Sequence, residues 1–129
     1  MTLPLTTLYA AILTLLMLGL SSAVIAKRAA TGISILHGDN MDLALATRRF
    51  GNFIEYVPMA LFLMALMELQ SASALWLNGA GGLLLAGRIL HAIGLDAKNA
   101  KAPFRIIGGS LTLLSLAVAT FWLLKARFA

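Results

Sequence analysis

The chain consists of four long apolar stretches separated by short polar segments. Each stretch approaches the roughly 20 residues that an α-helix needs to cross the ~30 Å hydrocarbon core of a bilayer. The first exceeds the ~7–15 apolar residues of a signal peptide and has no basic residue before it, so we expect it to be retained. The pattern predicts transmembrane helices at about residues 3–27, 48–68, 71–95 and 103–125.

The segments between these stretches set the expected connections. The longest, Ala29 to Thr47, contains two glycines and several polar residues, so we expect a polar loop with room for a short helical piece. Glu68 to Ser73 is short, which predicts a tight turn and an antiparallel hairpin of the second and third helices. Together the pattern predicts an all-α integral membrane protein, a four-transmembrane-helix bundle with a single domain over residues 1–129.

The composition agrees with a membrane protein, because 60% of the residues are hydrophobic. The chain is basic, with ten Lys and Arg residues and five Asp and Glu residues. We call the segment between the first and second helices loop 1 and the segment between the third and fourth helices loop 3. Under the positive-inside rule, the distribution of cations predicts that both loops are cytoplasmic and that both termini are outside. The basic balance is explained by this topology, so no nucleic-acid partner is expected. Seven cations lie in loops 1 and 3, Lys27, Arg28, Arg48, Arg49, Lys98, Lys101 and Arg105, against two near the C-terminus, Lys125 and Arg127.

The chain has no cysteine, which excludes disulfides, cysteine nucleophiles and cysteine-ligated metals. We expect no metal site, and any thiol chemistry must use the thiol of a ligand.

The second helix carries polar residues into its apolar stretch. At 100° and 1.5 Å per residue, Arg48, Asn52 and Glu55 share one face, and Glu55 lies about 10 Å inward from Arg48. Arg88 in the third helix lies at a matching depth. Because a lone charge at a helix centre costs about 2.5–3.5 kcal/mol, we predict an ion pair between Glu55 and Arg88 inside the bundle. A role limited to fixing helix register is the alternative.

Several polar side chains converge on one depth band in the cytoplasmic half, which predicts an anion-receptive cavity there. These are Asn52, Glu55, Arg88, His91 and Arg105. Structural interpretations stay open for several polar residues of this region: Arg48 and Arg49 as snorkelling anchors, His91 as a packing residue, and Tyr56 as an interfacial aromatic.

The pattern Arg48-x3-Asn52-x2-Glu55-Tyr56-x-Pro58 resembles the second-helix signature of the MAPEG family, the membrane-associated proteins in eicosanoid and glutathione metabolism. The resemblance extends over essentially the whole chain. Three further segments agree: Ala26-Lys27-Arg28-Ala29, Gly87-Arg88-Ile89-Leu90-His91-Ala92 and Pro103-Phe104-Arg105.

The resemblance implies a homotrimer of four-helix subunits that binds glutathione between neighbouring subunits near the cytoplasmic side. It also implies a lipophilic substrate that arrives from the membrane lipids. In the family the arginine matching Arg105 stabilises the glutathione thiolate, so Arg105 is the candidate catalytic residue. The positions that match glutathione contacts are Arg28, Arg48, Asn52, Glu55, Tyr56, His91 and Arg105.

Two departures from the family pattern bear on activity. Leu95 stands where family synthases often have tyrosine, and Ile106 stands where some members have serine. These departures favour glutathione binding over any named synthase activity. The leading expectation is a bacterial inner-membrane protein resembling the microsomal glutathione transferases, which transfers glutathione to hydrophobic electrophiles or reduces lipid hydroperoxides. A non-catalytic lipid-binding member is one alternative. A small multidrug transporter is another, although the first helix lacks the carboxylate that such a mechanism favours.

Overall fold

The computed structural model describes residues 2–95 and 102–128. They form four α-helices, and the described residues contain no strand. The predicted fold class, an all-α membrane bundle, is confirmed. Lys98 and Lys101 lie outside the described residues. The helices are α1 (Pro4–Thr31), α2 (Met41–Leu69), α3 (Ala74–Gly94) and α4 (Pro103–Phe128).

Three of the helices, α1, α2 and α4, are long and apolar enough to cross a membrane. The third, α3, is not among them, because Asn78, Arg88 and His91 interrupt its apolar sequence. Its most extensive helix contact is with α4, and its buried polar side chain, Arg88, points into the bundle. The charged side chain of α3 is therefore bonded to neighbouring helices, as expected for a charge at membrane depth.

The first connection is shorter than predicted, so the expectation of a loop from Ala29 to Thr47 was wrong. The helix α1 continues to Thr31 and ends where Gly32 adopts a left-handed conformation (φ 69°), its N–H bonded to the Arg28 carbonyl. The helix α2 already begins at Met41, because the Asn40 side chain accepts the Leu43 N–H at 2.9 Å. These two caps reduce the connection to residues 32–40.

The opposite end of the bundle contains the predicted tight turn. Residues 70–73 join α2 to α3 and include Ser71 in a left-handed conformation (φ 61°). Beside the turn, the Glu68 carboxylate accepts the backbone N–H groups of Leu5 at 2.9 Å and Thr6 at 2.8 Å. A side chain from the end of α2 therefore caps the start of α1, satisfying amides that lack intrahelical partners.

Glycine allows α3 and α4 to approach closely at the end that carries the polar residues. A Cβ on Gly108 would collide with the backbone nitrogen of His91, and one on Gly94 would collide with that of Arg105. This contact brings the C-terminal end of α3 against the N-terminal end of α4. His91 is thus level with Gly108 and Arg105 with Gly94, so the two residues lie about one helical turn apart at this end of the bundle.

Two apolar clusters fill the interior. One contains Leu13, Phe53 and Leu84, which join α1, α2 and α3. The other contains Met67, Leu77 and Ala119 near the capped end of the bundle. Because interiors of this kind are close-packed, the helices form a fixed frame for the polar residues at the other end.

Candidate functional site

The polar face of α2 carries an ion pair within the helix. The Arg48 guanidinium lies 2.8 Å from Glu55 Oε1, two turns further along. The predicted pair between Glu55 and Arg88 was therefore wrong. Matched depth did not bring them together because Glu55 points away from the core, with 47% of its side chain exposed, whereas Arg88 points inward. The Glu55 carboxylate is thus bonded to a cation of its own helix.

Arg88 is the centre of a buried hydrogen-bond network between three helices, with only 3% of the residue exposed. Its Nε and Nη2 donate to Thr112 Oγ1 of α4 at 2.9 and 2.6 Å. Its Nη1 donates to Asn52 Oδ1 of α2 at 2.7 Å and to the Asn52 carbonyl at 3.3 Å. The network fixes the guanidinium and joins α2, α3 and α4.

The acceptors around Arg88 are neutral. Among the described residues no carboxylate lies within 4.0 Å of its guanidinium, and its other neighbour is the Tyr56 ring, 5.6 Å from Cζ. Hydrogen bonds and a cation–π contact compensate a buried charge less fully than a counter-ion does. The surroundings of Arg88 therefore attract an anion.

A cleft of about 80 Å³ opens beside this network. His91 forms one side of it and lies within electrostatic range of three guanidiniums, those of Arg88, Arg105 and Arg48. Of the seven predicted site residues, the structure thus places three on this cleft, Asn52, Tyr56 and His91. The residues lining the cleft are Asn52, Tyr56, Arg88, His91, Gly109, Thr112 and Leu113.

A second, wider groove of about 430 Å³ lies next to Arg48, at the side of the first connection. His37 contributes an imidazole, and the Thr47 hydroxyl is buried without a hydrogen-bond partner in the described chain. Arg48 therefore borders the groove and also acts on His91 in the inner cleft. The groove is lined by Leu36, His37, Ala44, Thr47, Arg48 and Gly51.

Arg28 has a different role from the other predicted residues in this chain. Its Nη1 donates to the carbonyls of Ile33, Ser34 and Leu36 at 3.1, 2.9 and 3.2 Å. Arg28 does not line the inner cleft. It fixes the connection that forms one wall of the wider groove.

Leu95 and Ile106, the two departures from the family pattern, lie in different environments. The Leu95 side chain is buried, and its carbonyl accepts the Arg49 Nη2 at 2.9 Å, so this position ties α3 to α2. Ile106 is 53% exposed on the outer surface of α4. Neither side chain offers a polar group to the cleft.

Sequence reasoning missed Thr112, which supplies the acceptor for two Arg88 nitrogens. A signal was present: Gly108, Thr112 and Ser115 recur at helical spacing within an otherwise apolar α4, and all three are buried. Small and hydroxyl residues at such spacing are typical of a helix contact face in a membrane bundle. The pattern predicts a polar contact with α3, and Ser115 makes one with the Ala80 carbonyl at 2.7 Å.

Fold and site together define a small helical membrane protein with a cation-rich intramembrane cleft near one end. The chain belongs to the MAPEG family, whose model matches residues 6–125. The inner membrane protein YecN of Escherichia coli strain K12 is 33% identical over 118 residues, covering 89% of this chain and 88% of that protein. YecN of Escherichia coli O6:H1 strain CFT073 matches equally. No solved structure matches this chain.

Proposed function

We propose that this protein binds glutathione as a cosubstrate and transfers it to hydrophobic electrophiles or uses it to reduce lipid hydroperoxides. The observation that carries the proposal is the buried Arg88 guanidinium, which has only neutral acceptors and lines an open cleft, with Arg48 and Arg105 within electrostatic range of His91 on the same cleft. Glutathione has two carboxylates and can form a thiolate, so cations and amide donors are the groups expected to bind it. Membership of the MAPEG family supports the choice of ligand.

Arg105 is the proposed catalytic residue. A guanidinium beside the glutathione sulfur lowers the thiol's pKa and stabilises the thiolate, which is the nucleophile. The thiolate forms a bond to an electrophilic carbon of the lipophilic substrate, and the leaving group departs with the electron pair of the broken bond. Exclusion of water by the bundle strengthens the attraction between guanidinium and sulfur. The chain's lack of cysteine leaves the ligand as the source of the thiol.

The proposed assembly is a homotrimer with glutathione between neighbouring subunits. The Arg48–Glu55 pair supports it, because 59% and 47% of these side chains are exposed within a helix that is apolar enough to span a membrane. Charged groups in such a helix face a bundle interior or a polar cavity rather than lipid. A neighbouring subunit and the ligand would together cover them.

The proposed location is the bacterial inner membrane, with both termini outside and loops 1 and 3 in the cytoplasm. The relative YecN is named an inner membrane protein. Arg28, Arg48, Arg49 and Arg105 all lie at the same end of the bundle, while Lys125 and Arg127 end α4 at the other. This distribution follows the positive-inside rule and faces the proposed site toward cytoplasmic glutathione.

A non-catalytic lipid-binding protein of the same fold is the second candidate. The observation that favours it is the absence of a polar side chain at Leu95 and Ile106, where family enzymes have helper groups. In that case the cleft would bind an anionic headgroup, and no thiolate would form.

The decisive experiment is to titrate glutathione into the purified protein at several pH values and to follow the ultraviolet absorbance of the thiolate. We expect saturable binding with a thiolate signal that Arg105→Ala removes, while Asn52 and Arg48 preserve much of the affinity. Arg127→Ala is the matched control, since it removes an arginine from the other end of α4 and should retain the signal.

The outcomes separate the candidates. Saturable binding without thiolate in the unaltered protein would favour the non-catalytic lipid-binding protein. Absence of saturable glutathione binding would refute the glutathione proposal, and binding of anionic lipid would then be tested with vesicles that contain phosphatidylglycerol.

A further inference from the structure

The Asn52 side chain has one permitted orientation in this structure. A guanidinium only donates hydrogen bonds, so the atom of Asn52 that lies 2.7 Å from Arg88 Nη1 must be the carbonyl oxygen, Oδ1. The amide nitrogen of Asn52 therefore points away from Arg88. The hydrogen bond from Arg88 occupies the oxygen end of the amide, so the nitrogen end is the one that can bind another group.

The Asn52 amide nitrogen lacks an acceptor. The residue is only 8% exposed and lines the inner cleft, yet within the described chain its Nδ2 donates no hydrogen bond. This nitrogen is not sealed inside the bundle, because the described side-chain atoms that are fully buried without a partner are Thr6 Oγ1, Thr47 Oγ1 and Arg49 Nε. It is therefore accessible from the cleft. An oxygen atom of a ligand in the cleft would supply the missing acceptor.

Thr112 fixes the guanidinium that orients Asn52. Its Oγ1 accepts from two nitrogens of Arg88, and its own proton is donated to the Gly108 carbonyl at 2.9 Å. Two donors meeting at one oxygen set the plane of the guanidinium. A chain of hydrogen bonds thus joins the α4 backbone to Asn52 through Thr112 and Arg88, with Arg88 donating to both of its neighbours.

We infer that Thr112 is a positioning residue, which through Arg88 holds the Asn52 amide nitrogen toward an acceptor oxygen of the bound ligand. The cleft volume of about 80 Å³ suits a group the size of a carboxylate or a peptide carbonyl, so this subsite takes one end of the ligand. The inference rests on the proposed function for the identity of the ligand, glutathione. The orientation of Asn52 does not depend on that identity.

The first test measures glutathione affinity in three variants. Thr112→Val keeps the shape of the side chain but removes the acceptor, so the dissociation constant should rise about tenfold, the equivalent of one lost hydrogen bond. Thr112→Ser keeps the hydroxyl and should restore most of the affinity. Ser115→Ala is the matched control: it deletes another buried hydroxyl that bonds α4 to α3. It should lower thermal stability without a change in affinity beyond about twofold.

The second test needs no ligand. Nuclear magnetic resonance of labelled protein in micelles should show a slowly exchanging Arg88 Nε–H in the unaltered chain and in Thr112→Ser, but rapid exchange in Thr112→Val. The Asn52 amide signals, assigned with Asn52→Asp, should shift in Thr112→Val alone.

The two tests separate the two ideas. If the unaltered protein does not bind glutathione but the resonances behave as described, the proposed ligand is wrong and the positioning role stands. Unchanged resonances in Thr112→Val would overturn the positioning role. Affinity losses of equal size in Thr112→Val and Ser115→Ala would also overturn it, since both would then reflect general loosening of the bundle.

Discussion

The Arg48 guanidinium lies 2.8 Å from the Glu55 carboxylate, two turns along the same face of α2. This contact leaves Arg88 in a separate environment, bonded to the neutral oxygens of Asn52 and Thr112. The Arg48–Glu55 ion pair and the Arg88 network therefore share no residue, and the ion pair is exposed whereas the network is buried. Their independence can be measured.

Double-mutant cycles should show this independence in the free energy of unfolding in mixed micelles. Arg48→Met and Glu55→Gln should couple by about 0.5–1 kcal/mol, because the two side chains form an ion pair that is half exposed. Glu55→Gln and Arg88→Leu should be additive within about 0.5 kcal/mol, because the residues share no hydrogen bond. A strong coupling between Glu55 and Arg88 would contradict the observed arrangement.

Asn52→Leu should lower the free energy of unfolding by about 3 kcal/mol, because it leaves Nη1 of a buried guanidinium without its side-chain acceptor. Chemical unfolding in micelles measures the loss. Ile54→Leu, which changes an exposed apolar residue nearby on α2, should alter stability by no more than about 0.5 kcal/mol. Equal stabilities of the two variants would mean that Arg88 does not depend on Asn52.

Glu68→Gln should cost about 1 kcal/mol and weaken the start of α1, because it removes the charged acceptor for the amides of Leu5 and Thr6. Hydrogen exchange at those two amides should become faster than elsewhere in the helix. Asp42→Asn is the control, since its pair with Lys27 is longer, at 3.4 Å, and exposed. Unchanged exchange in Glu68→Gln would disprove the cap.

Gly108→Ala should destabilise the bundle by about 3 kcal/mol, because the added methyl group would collide with the His91 backbone. Gly79→Ala on α3 meets no atom within 4 Å and should stabilise its helix by about 0.5–1 kcal/mol. Thermal unfolding of both variants provides the comparison. A stable, unperturbed Gly108→Ala protein would show that the two helices are further apart than described.

Topology can be tested with single cysteines, since the chain has none of its own. Asp39→Cys in the first connection should resist an impermeant thiol reagent in intact cells and react after lysis. Thr2→Cys should be labelled from outside. The reverse pattern would invert the proposed orientation and turn the candidate site away from the cytoplasm.

The pattern of apolar stretches predicted the four helices, but it did not predict the ends of the first connection. The length of an apolar stretch indicates which part of a helix can lie in lipid, but not where the helix begins. The start of α2 depends on the cap at Asn40, well before the apolar run that begins at Phe50. The sequence Asn40-Met41-Asp42 contained that signal, because asparagine at a cap and an acidic residue in the first turn both favour a helix start.

The sequence predicted that Asn52 and His91 lie at one depth, and both line the inner cleft, but it did not predict the contacts of Arg88. Helical spacing predicted that Asn52 and Glu55 lie on the polar side of α2. Distance along the helices predicted that Arg88 and His91 lie at a similar depth. Depth does not specify rotation about the helix axis. The choice between Glu55 and Thr112 as the partner of Arg88 depends on that rotation, which is set by glycine packing between α3 and α4.

The cap that Glu68 provides for α1 also has a consequence for biosynthesis. The acceptor for the Thr6 amide lies 62 residues further along the chain. At roughly 5–20 residues per second the ribosome needs about 3–12 seconds to add that many residues. During this interval the first turn of α1 has to remain at the membrane surface, where water can bond its amides. The final seating of α1 therefore waits for the translation of α2.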